Sequence, residues 1–152
     1  MSILDLLKKD HGEVKDLFEQ MCDTSGRAAK ARQQLFEEMK TALMAHSHAE
    51  DTAFYQVLLP KTDEPNALRE AKVEHQVVER LLMDAEKTEP SDENWLAKVT
   101  VLKELVEHHV EEEESEIFKA ARKAFDKKEL DAMGENFEAL KKEQMAKAGA
   151  SV

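Results

Sequence analysis

The sequence has few of the residues that interrupt helices or cross-link a chain. Its 152 residues include four glycines, three prolines and one cysteine, and aromatic side chains make up only 5%. With Cys22 alone, neither an internal disulfide framework nor a thiolate metal cluster can form. Scarce glycine and proline beside abundant Ala, Leu, Glu and Lys are typical of a single, largely helical domain.

Signal-peptide and membrane-spanning patterns are also lacking. The first ten residues carry charge from Asp5 onward and contain no apolar core segment, and no apolar run approaches the length of a membrane span. We therefore expect a cytoplasmic protein. The formal charge of −11 repels phosphate backbones and anionic lipid surfaces, so neither nucleic acid nor membrane is an expected partner.

Turn residues divide the chain into five predicted helices. They are expected over about residues 2–23, 27–59, 65–87, 92–125 and 127–147, with 148–152 as a frayed tail. The three connections among the first four helices are short, which favours antiparallel neighbours. The sequence thus predicts an all-α fold: an up-down-up-down four-helix bundle over residues 1–125, with a C-terminal helix over 126–147 that covers the bundle or pairs with another chain.

Each helix of the predicted bundle carries a histidine within its apolar stripe, and two helices add a glutamate four residues later. The six residues are His11, His46, Glu50, His75, His109 and Glu113. At about 1.5 Å of rise per residue, all six fall into one layer of an antiparallel bundle. Any one of them alone is better explained as a hydrogen-bonded core histidine or a glutamate reaching for solvent. Six at a common height indicate a metal site, because a metal binds neutral imidazole and ionised carboxylate that are otherwise costly to bury.

The donor set indicates which metal to expect. Six protein ligands exceed the four of a tetrahedral zinc, and a calcium cage of oxygens would not use four histidines. Two carboxylates that can bridge, with about two histidines per ion, suit two iron ions joined by a bridging oxo or hydroxo group. The Glu-x-x-His pairs of ferritin-like di-iron bundles are missing from this sequence.

Taken together, these motifs resemble the hemerythrin-like HHE cation-binding domain over about residues 2–125. The matching segments are Asp10-His11, His46-x-x-x-Glu50, Ala53-Phe54-Tyr55, Glu74-His75, His109-x-x-x-Glu113 and the run from Glu113 to Phe118. The resemblance implies a di-iron centre bridged by Glu50 and Glu113, with the four histidines as terminal ligands. Members of such families bind dioxygen reversibly, sense or store iron or oxygen, or react with peroxide or nitric oxide.

One position departs from the oxygen-carrying hemerythrins, which place a further histidine four residues before the one that matches His75. Here that position is Ala71, and Glu79, four residues after His75, is expected to face solvent. Stable dioxygen carriage is therefore disfavoured relative to a catalase-like reaction with peroxide or oxygen. The alternatives are an iron store or an iron or oxygen sensor without turnover, and a scaffold that dimerises through the fifth helix. We expect small-molecule partners and a monomer or weak homodimer.

The sequence also predicts where several residues near the ligands lie. His48 and His108 are expected at the surface or behind the ligands, and Phe54 is expected to form a wall of the site. Tyr55 is predicted to pack rather than to contact the metals, because of its angular offset from Glu50. Gly12 is expected to permit a close approach of another backbone beside His11.

Overall fold

The computed structural model describes residues 1–150, which form five helices and no strand. The helices are α1 (Ile3–Cys22), α2 (Ala29–Glu50), α3 (Pro65–Glu86), α4 (Glu93–Glu112) and α5 (Lys127–Ala150). Two of them continue without a break through a π-helical turn: α2 through Asp51–Tyr55 to Gln56–Leu58, and α4 through Glu113–Ile117 to Phe118–Ala124. None of the described helices contains an apolar stretch of the length that a membrane-spanning helix requires.

Side-chain caps fix where the helices begin. The Oγ atom of Ser2 accepts the backbone N–H of Leu4 at 3.2 Å, and Asp92 accepts that of Asn94 at 2.7 Å. At the start of α5, Asp126 and Glu129 accept each other's backbone N–H, which is a capping box. The predicted starts of these helices are therefore correct to within a residue or two.

The C-terminal helix is longer than predicted. It continues to Ala150 rather than ending near Lys147, since alanine has the highest helix propensity and Lys147 pairs with Glu143 one turn earlier. The tail expected to fray from residue 148 is thus helical as far as residue 150. Its last two residues, 151–152, lie outside the described part of the chain.

Helices α1 to α4 enclose a common interior. Helix α1 packs against α2 and α4, α3 packs against α4 and α2, and α5 lies across α1 and α2. The interior has two apolar clusters. Cluster 1 includes Ile3, Leu7, Leu58, Leu68, Ile117, Phe118 and Phe137; cluster 2 includes Phe18, Met39, Val78, Leu82, Trp95 and Leu102. Along each of the four helices, the predicted histidine lies between residues of one cluster and residues of the other, so a polar layer separates them.

The two π turns change which residues face the interior. In each, a backbone N–H bonds to the carbonyl five residues earlier, from Gln56 to Asp51 and from Phe118 to Glu113. The extra residue shifts the buried face of α2. Val57, which uninterrupted α-helical spacing from Ala49 and Ala53 would bury, is 37% exposed, whereas Leu58 is fully buried.

Two helix-interior glycines have opposite surroundings. A Cβ atom on Gly12 would meet nothing within 4 Å, so the expected close backbone approach there is wrong. A Cβ on Gly134 would overlap the carbonyl oxygen of Met1 and lie 3.1 Å from the nitrogen of Ile3.

We predict opposite effects of the same substitution at these two sites. Gly12→Ala should raise the free energy of unfolding by up to about 1 kcal/mol, because alanine restricts the unfolded chain and favours helix. Gly134→Ala should lower it, because the N-terminal segment must move. Urea unfolding of the two variants checks this, and shifts of the midpoint in the same direction would contradict it.

Candidate metal centre

The six polar residues predicted from the sequence meet in the layer between the two apolar clusters. They form two groups that share both glutamates: His11, His46, Glu50 and Glu113 in the first, and Glu50, His75, His109 and Glu113 in the second. Within each group, one ligand atom from every residue lies within 4.8 Å of the others. Both shared glutamates are fully buried, with 0% exposure. The arrangement therefore offers two adjacent positions for a cation, with two carboxylates common to both.

The Nε2 atom of each histidine faces a shared carboxylate. The distances are 3.2 Å from His11 to Glu113, 3.6 Å from His46 to Glu50, 3.1 Å from His75 to Glu50 and 3.4 Å from His109 to Glu113. Four buried atoms at this centre make no hydrogen bond: Nε2 of His11, both carboxylate oxygens of Glu50 and Oε1 of Glu113. Such orphaned polar atoms each cost about 1–3 kcal/mol, so their concentration here indicates a site for cations.

The opposite nitrogen of each ring, Nδ1, pairs with a carboxylate on a neighbouring helix. The pairs are His11–Glu114 at 2.7 Å, His46–Asp10 at 2.8 Å, His75–Asp51 at 3.0 Å and His109–Glu74 at 3.0 Å. Because an ionised carboxylate only accepts hydrogen bonds, Nδ1 carries the proton in each pair. When the ring is neutral, the lone pair of Nε2 is then directed inward, as in carboxylate–histidine–metal sites.

These four supporting acids occupy repeated sequence positions. Asp10 and Glu74 directly precede the histidines of α1 and α3, while Asp51 and Glu114 directly follow the shared glutamates. Each acid supports the histidine of another helix, so α1–α2 and α3–α4 are two copies of one pattern. Asp10, Glu74 and Glu114 were expected only as members of family motifs, and Asp51 was not singled out from the sequence. Adjacency to a ligand was the signal that could have identified them.

Tyr55 contacts the centre, contrary to the sequence-based prediction. Its hydroxyl donates a hydrogen bond to Oε2 of Glu113 and lies 3.4 Å from Nε2 of His109. Its ring stacks on that of His75, with centroids 5.3 Å apart and planes 18° apart. The prediction failed because it assumed α-helical spacing, whereas the π turn brings the fifth residue after Glu50 onto the ligand face.

The matching position in the second copy has no hydroxyl. Phe118 is the fifth residue after Glu113, and its ring stacks on His11 with centroids 6.4 Å apart. Phe54 packs edge-on against Phe118 and is fully buried, and its place in a wall of the site stays a prediction. Tyr55 therefore distinguishes the group that contains His75 and His109 from the other.

Three other candidates lie away from the two groups. His48 is exposed, and His108 is also exposed and pairs with Glu112 at 3.1 Å. Glu79 is half-buried and belongs to neither group. None of the three shares in the buried layer.

Without a metal, the protonation states of the buried histidines and glutamates depend on one another. Burial opposes protonation of His11 and His109, but contacts with Glu113 outweigh it and raise the pKa of each to about 9. Burial and the charge of Glu113 raise the pKa of Glu50 well above its usual range. The pKa of Glu113 is held well below its usual range, because its contacts with His109 and His11 outweigh burial. Protons therefore occupy this layer wherever metal does not, and metal binding must displace them.

A small cavity borders the histidines on the side of cluster 2. Its volume is about 20 Å³, and its lining includes all four ligand-type histidines together with Val14, Leu43, Val78, Val106 and Val110. About 10–15 Å³ of such volume holds one water. The cavity therefore admits a ligand of two or three atoms at most, within mostly apolar walls.

Comparisons with known proteins indicate the family and the fold of this chain. The sequence model of the hemerythrin HHE cation-binding domain matches residues 2–121. A crystal structure of a hemerythrin HHE cation-binding domain-containing protein from Mycobacterium kansasii superposes with a TM-score of 0.85, covering 97% of this chain and 89% of that one at 23% identity. A DNA nickase of Nostoc sp. (strain PCC 7120) is 26% identical over 149 residues. That match covers 98% of this chain but only 42% of the relative.

The raised pKa values predict how the metal-free protein responds to pH. His11 and His109 bind a proton more tightly when folded, so their contribution to stability is complete below about pH 6.5 and is lost as the pH rises through about 9. Glu50 acts in the same direction, whereas the lowered pKa of His46 acts oppositely but only near and below pH 6.5. Between pH 6.5 and 9 the free energy of unfolding should fall by roughly 1 kcal/mol or more.

Urea unfolding of chelator-treated protein across this range measures the effect. Iron-loaded protein should show a smaller dependence, because its histidines are held unprotonated at Nε2. A metal-free protein that becomes more stable over the same interval would contradict the electrostatic description.

Proposed function

The chain belongs to the hemerythrin HHE cation-binding domain family, and we propose that it holds two iron ions that bind or react with dioxygen or peroxide. The observation that carries the proposal is the set of buried, inward-facing donor atoms without hydrogen bonds, at Glu50, Glu113 and His11. Four imidazole nitrogens and two shared carboxylates suit two redox-active transition metals. They do not suit calcium or a single tetrahedral zinc.

Each iron would take two histidines and a share of both glutamates. His11 and His46 would hold one ion, His75 and His109 the other, and Glu50 and Glu113 would bridge them, in keeping with the two groups of atoms. Bound there, the iron pair would supply one-electron redox steps and an open position for a small ligand. The finer architecture that we propose is an antiparallel up-down-up-down bundle of α1 to α4, with α5 as an additional helix.

Two features favour a small oxidant as the ligand. The cavity beside the histidines, at about 20 Å³, has room for dioxygen or peroxide and excludes organic substrates. Its valine and leucine walls keep bulk water away from the reacting atoms. The buried Ala71 stands where oxygen carriers have a fifth histidine, so one ion has fewer protein ligands, which favours reaction over stable carriage.

Tyr55 is the residue best placed to donate a hydrogen bond or transfer a proton at the centre. Its hydroxyl donates to Oε2 of Glu113 and lies near Nε2 of His109. Burial, together with the charges of Glu113 and Glu50, raises the pKa of Tyr55 well above its usual range, so it remains a hydrogen-bond donor at neutral pH. A donor fixed on a shared carboxylate can stabilise negative charge that develops beside it.

One alternative to this proposal can be separated from it by experiment. An iron store or sensor would bind iron at the same residues but would release it without consuming peroxide. The activity named for the nickase relative is not extended to this chain, which spans about two fifths of that protein and carries a formal charge of −11, unfavourable for contact with DNA.

One prediction from the proposed function concerns iron content and peroxide consumption. Protein loaded anaerobically with ferrous ion should contain two irons per chain by elemental analysis and should consume added peroxide over many turnovers while retaining its iron. His46→Ala combined with Glu50→Ala should remove at least one iron per chain and abolish consumption, because both iron positions lose a donor.

His48→Ala is the matched control, since His48 lies on the same helix but is exposed. It should retain both irons and full peroxide consumption. Iron retained by the double variant would defeat the site assignment. Iron bound at the site but released by peroxide without its consumption would instead support the store or sensor.

Another prediction from the proposed function concerns the hydroxyl of Tyr55. Tyr55→Phe should retain two irons per chain, because the ring still stacks on His75 and none of the six donors is removed. Peroxide consumption should fall by about 100-fold to 1,000-fold, the usual loss on removing one stabilising donor or proton-transfer group. Phe118→Leu, which changes the corresponding ring without removing a hydroxyl, should lose much less. Unchanged turnover in Tyr55→Phe would exclude the tyrosine from the reaction.

A further inference from the structure

Helix α5 reaches the polar layer although it lies beyond residues 2–121, the part of the chain that matches the family. Nζ of Lys141 donates to Oδ1 of Asp10 at 2.5 Å. The other carboxylate oxygen of Asp10, Oδ2, pairs with Nδ1 of His46 at 2.8 Å. Phe137 packs edge-on against the His46 ring, with centroids 5.7 Å apart and planes at 79°. Two residues of α5 thus act on one histidine of the centre.

Asp10 differs from the other three supporting acids. Its side chain is 7% exposed, compared with 19% for Glu74, 26% for Asp51 and 32% for Glu114. Within the described residues, it is also the one supporting acid that contacts a lysine. A carboxylate this buried needs compensation for lost hydration, and Lys141 supplies it. The other three are more exposed and are therefore partly open to water.

Phe137 adds a steric constraint to the same ring. It is 1% exposed and belongs to cluster 1, so its own position is fixed by packing. With Asp10 holding Nδ1 and Phe137 holding the ring face, His46 has one orientation, in which Nε2 points at Glu50. His109, the corresponding histidine of the second copy, makes no hydrogen bond, ion pair or ring contact with the described residues of α5. Its acid Glu74 is approached instead by the exposed His108 at 3.9 Å.

We propose that Lys141 and Phe137 are positioning residues that set metal affinity at the position formed by His11 and His46, and leave the position formed by His75 and His109 unaffected. The proposal rests on the proposed function, because it assumes that both positions bind metal. It makes the two positions unequal, and it gives the C-terminal helix a part in metal binding.

The test is an anaerobic titration of the metal-free full chain with ferrous ion, and with cobalt(II), whose visible absorption reports bound ions. Wild-type protein should bind two ions. Lys141→Met should weaken one of the two binding steps by several-fold to about 10-fold, less than the roughly 10-fold to 100-fold typical of removing the direct partner of a ligand, because Lys141 acts through Asp10. Lys141→Arg should restore most of the loss, since it keeps a cation near Asp10. Lys142→Met, the same charge change at the exposed neighbouring residue, should leave both steps unchanged.

Single-position backgrounds identify which step changes. In His75→Ala protein, where the His11–His46 position remains complete in histidines, Lys141→Met should still weaken binding. In His11→Ala protein it should have no effect. Phe137→Leu provides a second, milder variant that should reproduce the pattern if Lys141→Met fails to fold.

The possible outcomes distinguish a failure of the proposed function from a failure of the inference about α5. If wild-type protein does not bind two ions, the proposed function fails. If wild-type protein binds two ions and Lys141→Met weakens neither step, weakens both equally or tightens either one, the inference about α5 is overturned while the proposed function stands.

Discussion

The burial of six ionisable groups in one layer is the constraint on which the rest of this structure depends. Four imidazoles and two carboxylates lie between two apolar clusters, and four of their polar atoms make no hydrogen bond. Burial of such groups without compensation costs several kcal/mol per ion. In the metal-free chain, raised histidine pKa values supply part of the compensation through protons. Cations supply it more fully, because they bind both donor types at once.

The remaining features serve to hold these donors in place. Each histidine is fixed from behind by an acid that neighbours a ligand in sequence, so one short motif provides both a donor and a support for another helix. The π turns move Tyr55 and Phe118 onto the ligand face, where their rings stack on histidines. Helix α5 adds Lys141 and Phe137 on one side only. The centre is thus built from two similar halves. They differ in the hydroxyl of Tyr55, which Phe118 lacks, and in the contact of Lys141 with only one supporting acid.

Much of this arrangement could be predicted from the sequence, because it follows helical periodicity. The helix boundaries, the six residues and their common layer depend on apolar spacing, caps and rise per residue. The rest depends on departures from that periodicity or on contacts between distant segments. Tyr55 was misplaced because nothing in the residue types signals a π turn. Lys141 is separated from Asp10 by 131 positions, so no local pattern indicates their contact.

The most direct test of the central claim is anomalous diffraction at the iron absorption edge from crystals of the iron-loaded protein. Two peaks should lie between Glu50 and Glu113, one within bonding distance of Nε2 of His11 and His46 and the other within bonding distance of Nε2 of His75 and His109. Iron found only among surface acids, or a layer without anomalous signal in protein that contains iron, would contradict the account.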